Sequence, residues 1–322
     1  MENPKKDNTG SKQNSFKELL NENLAQQYEL EDIKIVLKGQ YEKAYELLKD
    51  AEATGLFPAL VGPPGVGKTI LCRYFAQQRA IEQKNTNFYW LTMDESIKPS
   101  HFIGSFDPAL TLQKGFCIEA FNPGSLLKAM LTGGTFLANE INRATEYSQN
   151  TLLEPLEEKS IGISHLGRVR ARDEFFFICA MNPEELAGTH RLSEALKDRI
   201  KMWIKLTYPD KATELEIIRV NLPENFTVSE AELDLVYQIV EATRKNKIDI
   251  EIPASIRAGI AMAKLLGRRR ALEVENKVEE KVPVNVILSD IAKNVLIGSI
   301  KPKPGVNVED VIDMLINKIL GA

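Results

Sequence analysis

A glycine-rich segment of eight residues is the part of this sequence that points most directly to chemistry. Residues 62–69 read Gly-Pro-Pro-Gly-Val-Gly-Lys-Thr and fit the pattern G-x-x-x-x-G-K-[ST]. Glycines let backbone N–H groups approach phosphate oxygens closely, and the lysine and threonine add a cation and a hydroxyl. The sequence therefore predicts a nucleotide site in which Lys68 contacts the β- and γ-phosphates and the Thr69 hydroxyl binds Mg²⁺. The residues assigned to nucleotide binding are Gly62, Pro63, Pro64, Gly65, Val66, Gly67, Lys68, Thr69 and Ile70.

This pattern requires a strand before it and a helix after it. An apolar run at 56–61 predicts the strand, and 69–83 has the apolar spacing of a helix. Further strands are predicted at 88–92, 135–138, 175–180 and 202–206. Helical stretches between them are predicted at 124–132 and 146–158. This alternation is typical of a parallel sheet covered on both faces, so we expect an α/β fold with a parallel five-stranded sheet flanked by helices.

The pattern changes after residue 208, where no strong strand run follows. Helical spacing is present at 211–221, 229–245, 253–266 and 286–297. We therefore expect a disordered segment at 1–15, an α/β nucleotide-binding domain at 16–207 and a smaller helical lid domain at 208–322. The first element of the α/β domain is predicted to be a helix within 16–50.

Composition narrows the classes of function. The formal net charge is −4, so no global basic field would attract nucleic acid or anionic lipid. No apolar run approaches the length that crosses a bilayer, and residues 1–15 lack the apolar core of a secretory signal. The three cysteines, Cys72, Cys117 and Cys179, are not spaced as a metal or redox pair. We expect a cytoplasmic protein that contacts neither membrane nor nucleic acid.

Several motifs, taken in order, resemble one family. Residues 62–69 have the form of the loop found in AAA+ proteins. Residues 133–144, Gly-Gly-Thr-Phe-Leu-Ala-Asn-Glu-Ile-Asn-Arg-Ala, resemble the second acidic motif of MoxR proteins, which ends D-E-I-N-R-A. The other matching segments are 152–158, Asn182-Pro183-Glu184, Gly188-Thr189, Leu192-Ser193-Glu194-Ala195 and Asp198-Arg199. Over residues 37–270 the sequence therefore resembles the MoxR family of ring-forming AAA+ ATPases.

The resemblance gives roles to two residues after the third predicted strand. In the family pattern an Asp ends this strand and orders the water shell of Mg²⁺, and the following Glu polarises the attacking water. This sequence has Asn139 in place of the Asp and Glu140 in place of the Glu. Asparagine accepts a hydrogen bond but carries no charge, so the affinity for Mg²⁺ is expected to fall. We assign Thr69 and Asn139 to the metal and Glu140 to catalysis; a site that binds nucleotide without turnover is the alternative.

Three further residues take catalytic roles from the resemblance. Asn182 corresponds to the first sensor, near the γ-phosphate and the attacking water; by itself it would be interpreted as a turn residue before Pro183. Arg199 corresponds to the finger that reaches the nucleotide of a neighbouring subunit. Arg257 corresponds to the second sensor, which contacts the γ-phosphate from the lid.

Each arginine also has a simpler interpretation. Arg199 could form a surface ion pair with Asp198 or Glu194, and Arg191 competes with it for the role of finger. Arg257 could be an ordinary exposed arginine of a helix. Gly39-Gln40 precede the loop by about the family's distance and would lie near the adenine.

Three other segments attract attention. Arg168, Arg170 and Arg172 alternate, so on a strand they share one face, either of a family hairpin at the ring pore or of an ordinary solvated strand. Residues 100–121 fit the family's insertion in the second helix, a candidate surface for partners. Asn246-Lys247-Ile248-Asp249 match N-K-x-D, the guanine-reading signature, but follow a helix instead of a sheet strand. We interpret that match as a coincidence.

Three functions remain open. The resemblance implies an ATP- and Mg²⁺-dependent homo-oligomeric ring, normally a hexamer, that remodels a protein client together with a von Willebrand factor A-type domain protein. A nucleic-acid-associated motor is the second hypothesis, against which the charge argues. The third is a nucleotide-binding scaffold with little or no hydrolysis, because the acidic position is occupied by Asn139.

Overall fold

The computed structural model describes residues 33–83, 87–183, 191–277 and 282–321. Three predicted features fall outside these ranges: the disordered segment at 1–15, residues 16–32 of the first predicted helix, and the motif residues Glu184, Gly188 and Thr189. Contacts between Cα atoms divide the chain into two compact units. Of the described residues, the first unit contains Glu42–Pro63 and Gly67–Leu206, and the second contains Lys34–Tyr41, Pro64–Val66 and the chain from Thr207 onward.

The first described helix is shorter than predicted, because residues 33–39 are not helical. The helices and strands up to residue 206 are α1 Gln40–Thr54, β1 Pro58–Val61, α2 Lys68–Gln83, β2 Phe88–Thr92, α3 Pro99–Phe102, β3 Gly104–Phe106, α4 Pro108–Lys114, β4 Phe121–Pro123, α5 Ser125–Thr132, β5 Thr135–Asn139, α6 Glu146–Asn150, α7 Leu153–Glu158, β6 Ser160–Ile163, β7 Gly167–Arg170, β8 Phe176–Met181, α8 Glu194–Arg199 and β9 Met202–Lys205.

The predicted parallel sheet is confirmed. It has five strands in the order β2-β5-β8-β1-β9, and every neighbouring pair runs parallel. All six residues of the central strand β8 are buried, as are the first four of β5. Strands buried on both faces are continuous apolar runs, which explains why the sequence predicted them. Rings pack across these strands; Phe136 and Phe177 stack with centroids 6.0 Å apart.

The single helix predicted at 146–158 is two helices, α6 and α7. The physical reason is Pro155, which has no N–H to donate to the carbonyl of Thr151, one of the two residues between the helices. The second helix ends at Glu158, and the following Lys159 has a left-handed backbone (φ 47°) and leads directly into β6. The break sets the direction of the helix that carries Glu157.

Two antiparallel hairpins stand apart from the main sheet. Strand β3 lies within the predicted insertion and pairs with β4, which starts at the last residue of that insertion, and β6 pairs with β7. Arg168 and Arg170 lie on β7 as expected, with the buried Val169 between them. Arg172 was predicted to share their strand face and does not, because β7 ends at Arg170 and the backbone N–H of Arg172 donates to the carbonyl of Met130 at 2.9 Å.

The second unit is mainly helical. Its elements are α9 Lys211–Val220, α10 Glu230–Lys245, β10 Ile250–Ile252, α11 Ile256–Glu275, α12 Val284–Leu296, β11 Lys301–Pro302 and α13 Val308–Leu320. No strong strand run was identified after residue 208, and the strands present there, β10 and β11, form only a small antiparallel pair. These strands are too short to contain an apolar run. Helix α13 was not predicted, although its buried residues have helical spacing: Val311, Ile312, Leu315, Ile316 and Leu320. In the stretches that the structure describes, no helix is both long and apolar enough to span a bilayer.

A buried ion pair lies in the core of the second unit. Both guanidinium Nη atoms of Arg244 donate to Glu214, at 2.6 and 2.7 Å, and the Glu214 side chain is fully buried. Arg244 also donates to the carbonyl of Ala254 and covers the ring of Tyr208 at 3.9 Å from its centroid. Since a carboxylate removed from water needs such a partner, the two charges depend on each other.

We predict that Glu214→Ala lowers the free energy of unfolding by about 3–5 kcal/mol, because Arg244 is left as a buried charge without its carboxylate. Glu216→Ala, on the same helix, is the matched control. Glu216 forms a partly exposed pair with Lys38 at 2.5 Å, so its removal should cost about 1 kcal/mol or less. Urea unfolding followed by circular dichroism measures both; equal losses would contradict the assigned difference.

Candidate nucleotide-binding site

The predicted phosphate-binding loop connects β1 to α2, as its pattern requires. The N–H of Gly62 donates to the carbonyl of Met181 at 3.3 Å, which ties the start of the loop to the end of β8. Gly65 and Gly67 have φ of 70° and 97°, in the left-handed region that glycine adopts at little cost. Helix α2 starts at Lys68, so the loop runs directly into a helix N-terminus, where free N–H groups favour anions.

The middle of the loop, Pro64–Val66, belongs to the second unit and is fixed there by side chains. A Cβ atom added to Gly65 would lie 2.5 Å from the Cβ of Ser255, closer than side chains can approach, so only glycine fits. The hydroxyl of Tyr41 donates to the carbonyl of Val66 at 2.8 Å, and that of Tyr208 to the carbonyl of Pro64 at 3.3 Å. Burial raises the pKa of both phenols, which keeps them protonated as donors.

Lys68 is buried, with 7% of its surface exposed. Its Nζ donates to the carbonyls of Gly62 and Pro63, at 2.7 and 2.9 Å, and to Oδ1 of Asn182 at 3.0 Å. Asn182 directly follows β8, where the sequence placed it. The predicted phosphate-binding lysine and the predicted first sensor are therefore in direct contact.

Thr69 and Asn139, the two predicted metal-site residues, are also in contact. The hydroxyl of Thr69 donates to Oδ1 of Asn139 at 2.9 Å. The amide nitrogen of Asn139 donates to the hydroxyl of Thr92 at 3.4 Å, at the end of the neighbouring strand. The register of β2 and β5 pairs Thr92 with Asn139 directly, so both side chains lie at the carboxyl edge of the sheet.

Glu140 follows β5 and has an unusual backbone. Its φ and ψ are 55° and 41°, left-handed values that a residue with a Cβ adopts at a cost. Its carboxylate pairs with Nε of Arg143 at 2.7 Å, an ion pair in which both side chains are partly exposed. The pair is possible because the 3₁₀ turn Ile141–Arg143 follows Glu140 and places Arg143 one turn away from it.

Sequence reasoning missed a buried residue of this site, Asn142. Its side chain is fully buried, and its amide nitrogen donates to the backbone carbonyl of Asn182 at 3.0 Å. Asn142 thus connects the segment after β5 to the segment after β8. The signal was present, because Asn142 belongs to the motif at 133–144 that carried the family resemblance.

Arg199 is the last residue of α8, a helix that begins after Ser193, whose hydroxyl accepts the N–H of Leu196. Its Nη1 donates to the carbonyl of Ala195 at 2.8 Å, and its Nη2 forms an ion pair with Glu157. The two partners weighed in the sequence are engaged elsewhere: Asp198 with Lys201 and Glu194 with Lys197. The competing Arg191 is exposed and precedes the helix.

Arg257 is exposed in the first turn of α11, in the second unit. In the same unit, the side-chain amide of Gln40 binds the backbone of Thr207 as both donor, at 2.5 Å, and acceptor, at 3.0 Å.

The two polar ends of the N-K-x-D match form hydrogen bonds with each other. The side-chain amide of Asn246 donates to the carboxylate of Asp249 at 3.0 Å, and the backbone N–H of Asp249 donates to Oδ1 of Asn246 at 3.1 Å. That geometry is a turn after α10, in agreement with the interpretation as a coincidence.

The residues present fit a nucleotide with Mg²⁺. The Thr69 hydroxyl and the Asn139 amide oxygen are hard oxygen donors of the kind Mg²⁺ prefers, and they converge on each other. The loop supplies the left-handed glycine backbone and the helix N-terminus that suit phosphates. The donor set lacks the usual negative charge at Asn139, so charge for the metal would come from the phosphates themselves.

Comparison with known proteins relates the segment that contains this loop to a family of AAA domains. Residues 59–200 match the family model for the AAA domain of the dynein-related subfamily. The chain is 28% identical over 225 residues to the uncharacterized protein YeaC of Bacillus subtilis (strain 168), covering 62% of this chain and 65% of YeaC. It is 29% identical over 238 residues to the chaperone MoxR1 of Mycobacterium tuberculosis (strain ATCC 25618 / H37Rv), covering 66% of this chain and 58% of MoxR1. The chain thus spans less than two thirds of the length of these curated relatives.

The fold is shared with solved nucleotide complexes. The Aeropyrum pernix ORC2 protein, solved in ADPNP–ADP complexes, superposes with a TM-score of 0.52 at 12% identity, covering 88% of this chain and 72% of that chain. At this identity the likeness concerns the fold alone. The matched AAA domain, the curated relatives and the ordered motifs together support a relationship to the AAA+ ATPases of the MoxR type.

Proposed function

We propose that this protein binds ATP with Mg²⁺ at its phosphate-binding loop and hydrolyses it. The observation that carries the proposal is the meeting of three segments of the sheet edge. The Thr69 hydroxyl lies 2.9 Å from Asn139, and the Lys68 amine lies 3.0 Å from Asn182. These contacts bring together an amine, a hydroxyl and side-chain amides, and Glu140, the residue after Asn139, adds a carboxylate. Phosphoryl transfer to water requires groups of these kinds.

Each residue has a role in the proposed reaction. Lys68 binds the β- and γ-phosphates, and Thr69 and Asn139 hold Mg²⁺, which when bound neutralises phosphate charge. Glu140 orients the attacking water and accepts its proton, and Asn182 orients the same water. Arg199 stabilises the charge of the transferred phosphoryl group in a neighbouring copy, and Arg257 contacts the γ-phosphate.

The wider function follows the MoxR relationship. We place the protein in the cytoplasm as a homo-oligomeric ring, expected to be a hexamer, that uses ATP to remodel a protein client. A von Willebrand factor A-type domain protein is the proposed partner. Turnover measured with and without candidate clients tests this part of the proposal.

A second candidate function rests on Asn139. A neutral amide cannot supply the charge that a carboxylate gives to the metal site, so a nucleotide-binding scaffold with little turnover remains the alternative. The two functions differ in whether hydrolysis occurs at any Mg²⁺ concentration.

We predict that Lys68→Ala weakens ATP binding about 10- to 100-fold, because the phosphates lose charge-assisted hydrogen bonds. Isothermal titration calorimetry measures the affinity. Lys49→Ala is the control, since Lys49 is an exposed lysine paired with Glu46 at 3.1 Å and should leave the affinity unchanged. An unaltered affinity in Lys68→Ala would remove the phosphate-binding assignment.

We predict slow hydrolysis in the native protein and a raised requirement for Mg²⁺. Asn139→Asp restores the charge and should lower the half-saturating Mg²⁺ concentration and raise turnover, each by about 10-fold or more. Glu140→Gln should bind ATP normally and lose nearly all turnover. The measurement is ATPase rate against Mg²⁺ for the three proteins. No turnover in the native protein or in Asn139→Asp would favour the scaffold.

We predict that Arg199→Ala binds ATP normally and hydrolyses it about 10³-fold more slowly, because the transition-state charge loses its arginine. Mixing Arg199→Ala with Lys68→Ala protein should restore part of the activity, since a mixed ring contains sites with an intact half from each copy. Arg191→Ala tests the competing arginine. If mixtures never recover activity, Arg199 does not act across subunits.

A further inference from the structure

The proposed finger arginine is held by its own subunit. Arg199 on α8 forms an ion pair through Nη2 with Glu157 on α7 and donates through Nη1 to the carbonyl of Ala195. Its side chain is 24% exposed and that of Glu157 is 56% exposed. Among the described residues, the buried Nε of Arg199 has no hydrogen-bond partner. A guanidinium with an unused buried donor is not in its best-satisfied arrangement.

Glu157 is the carboxylate that forms an ion pair with Arg199, whereas the neighbouring acidic residues pair with other cations. Glu154, one turn earlier on α7, pairs with Arg168 at 2.8 Å. Asp198 and Glu194, on the arginine's own helix, pair with Lys201 and Lys197. The pair therefore connects two different helices, and packing of α7 against α8 selects it.

A carboxylate and a phosphate compete for the same guanidinium. A carboxylate is planar and a phosphate is tetrahedral, but the oxygens of both accept hydrogen bonds from the Nη groups of arginine. An Nη group that donates to a carboxylate is not available to a phosphate in the same geometry. Because Glu157 is more than half exposed, its attraction for Arg199 is screened and weak. A pair of this kind changes a competing equilibrium by about 1.5- to 5-fold.

We propose that Glu157 is a positioning residue that keeps Arg199 within its own subunit until a neighbour's nucleotide takes its place. The exposed carboxylate thereby sets how readily one copy completes the site of the next. This inference rests on the proposed function, in which Arg199 serves a neighbouring copy. It assigns to Glu157 a regulatory contact with the arginine and no contact with the nucleotide.

The test measures self-association of the full chain, without turnover, in the presence of a non-hydrolysable ATP analogue. Light scattering gives the protein concentration of half-assembly for the native protein, Glu157→Gln and the control Glu158→Gln, whose exposed carboxylate is on the same helix. Glu157→Gln should lower this concentration about 1.5- to 5-fold, because the competing anion is gone. Glu158→Gln should match the native protein.

A double-mutant cycle distinguishes this role from simple helix packing. On an Arg199→Ala background, Glu157→Gln should have no further effect on assembly, since there is no arginine to release. Two outcomes would overturn the role of Glu157 and leave the ring intact. In the first, Glu157→Gln has an equal effect on both backgrounds. In the second, Glu157→Gln assembles like the native protein although Arg199→Ala weakens assembly. No analogue-dependent assembly in the native protein would overturn the ring itself and, with it, this inference.

Discussion

The register of the parallel sheet is the constraint on which the site depends. Strand β8 lies between β5 and β1 and pairs Ala180 with Asn139 and Met181 with Val61. Parallel strands present their carboxyl ends at one edge, so the loop after β1 and the polar residues that end β5 and follow β8 meet there. A slip of one residue in β5 would turn the side chain of Asn139 to the other face of the sheet and remove it from Thr69.

Much of this arrangement could be predicted from the sequence, and for a physical reason. The strands β5 and β8 are buried on both faces and are therefore continuous apolar runs, and all five sheet strands lie within two residues of their predicted bounds. The loop could be predicted because its glycines, lysine and threonine match the phosphate-binding pattern at every required position, between a strand and a helix. The sequence also placed Lys68, Thr69, Asn139 and Asn182 around one nucleotide, and the structure brings them into contact.

The ion-pair partner of Arg199 and the shortest strands could not be predicted from the sequence. Arg199 had Asp198 and Glu194 as neighbours in the sequence, yet it pairs with Glu157, 42 residues away, because of how α7 and α8 pack. The strands β10 and β11 contain too few residues for a periodic pattern. The break in 146–158, in contrast, can be predicted from the sequence, because Pro155 has no N–H with which to continue a helix from Glu146.

The left-handed backbone of Glu140 has a consequence for how this protein would respond to selection. A residue with a Cβ at φ 55° carries a strain of about 1–3 kcal/mol, which glycine or asparagine would relieve at the same position. A library screened only for heat resistance should therefore drift away from glutamate there, since its partly exposed ion pair with Arg143 offsets little of this strain. Retention of the acid in descendants that are selected for function, against the local conformational preference, would show that its chemistry is required, and its loss there would mark a descendant that only binds nucleotide.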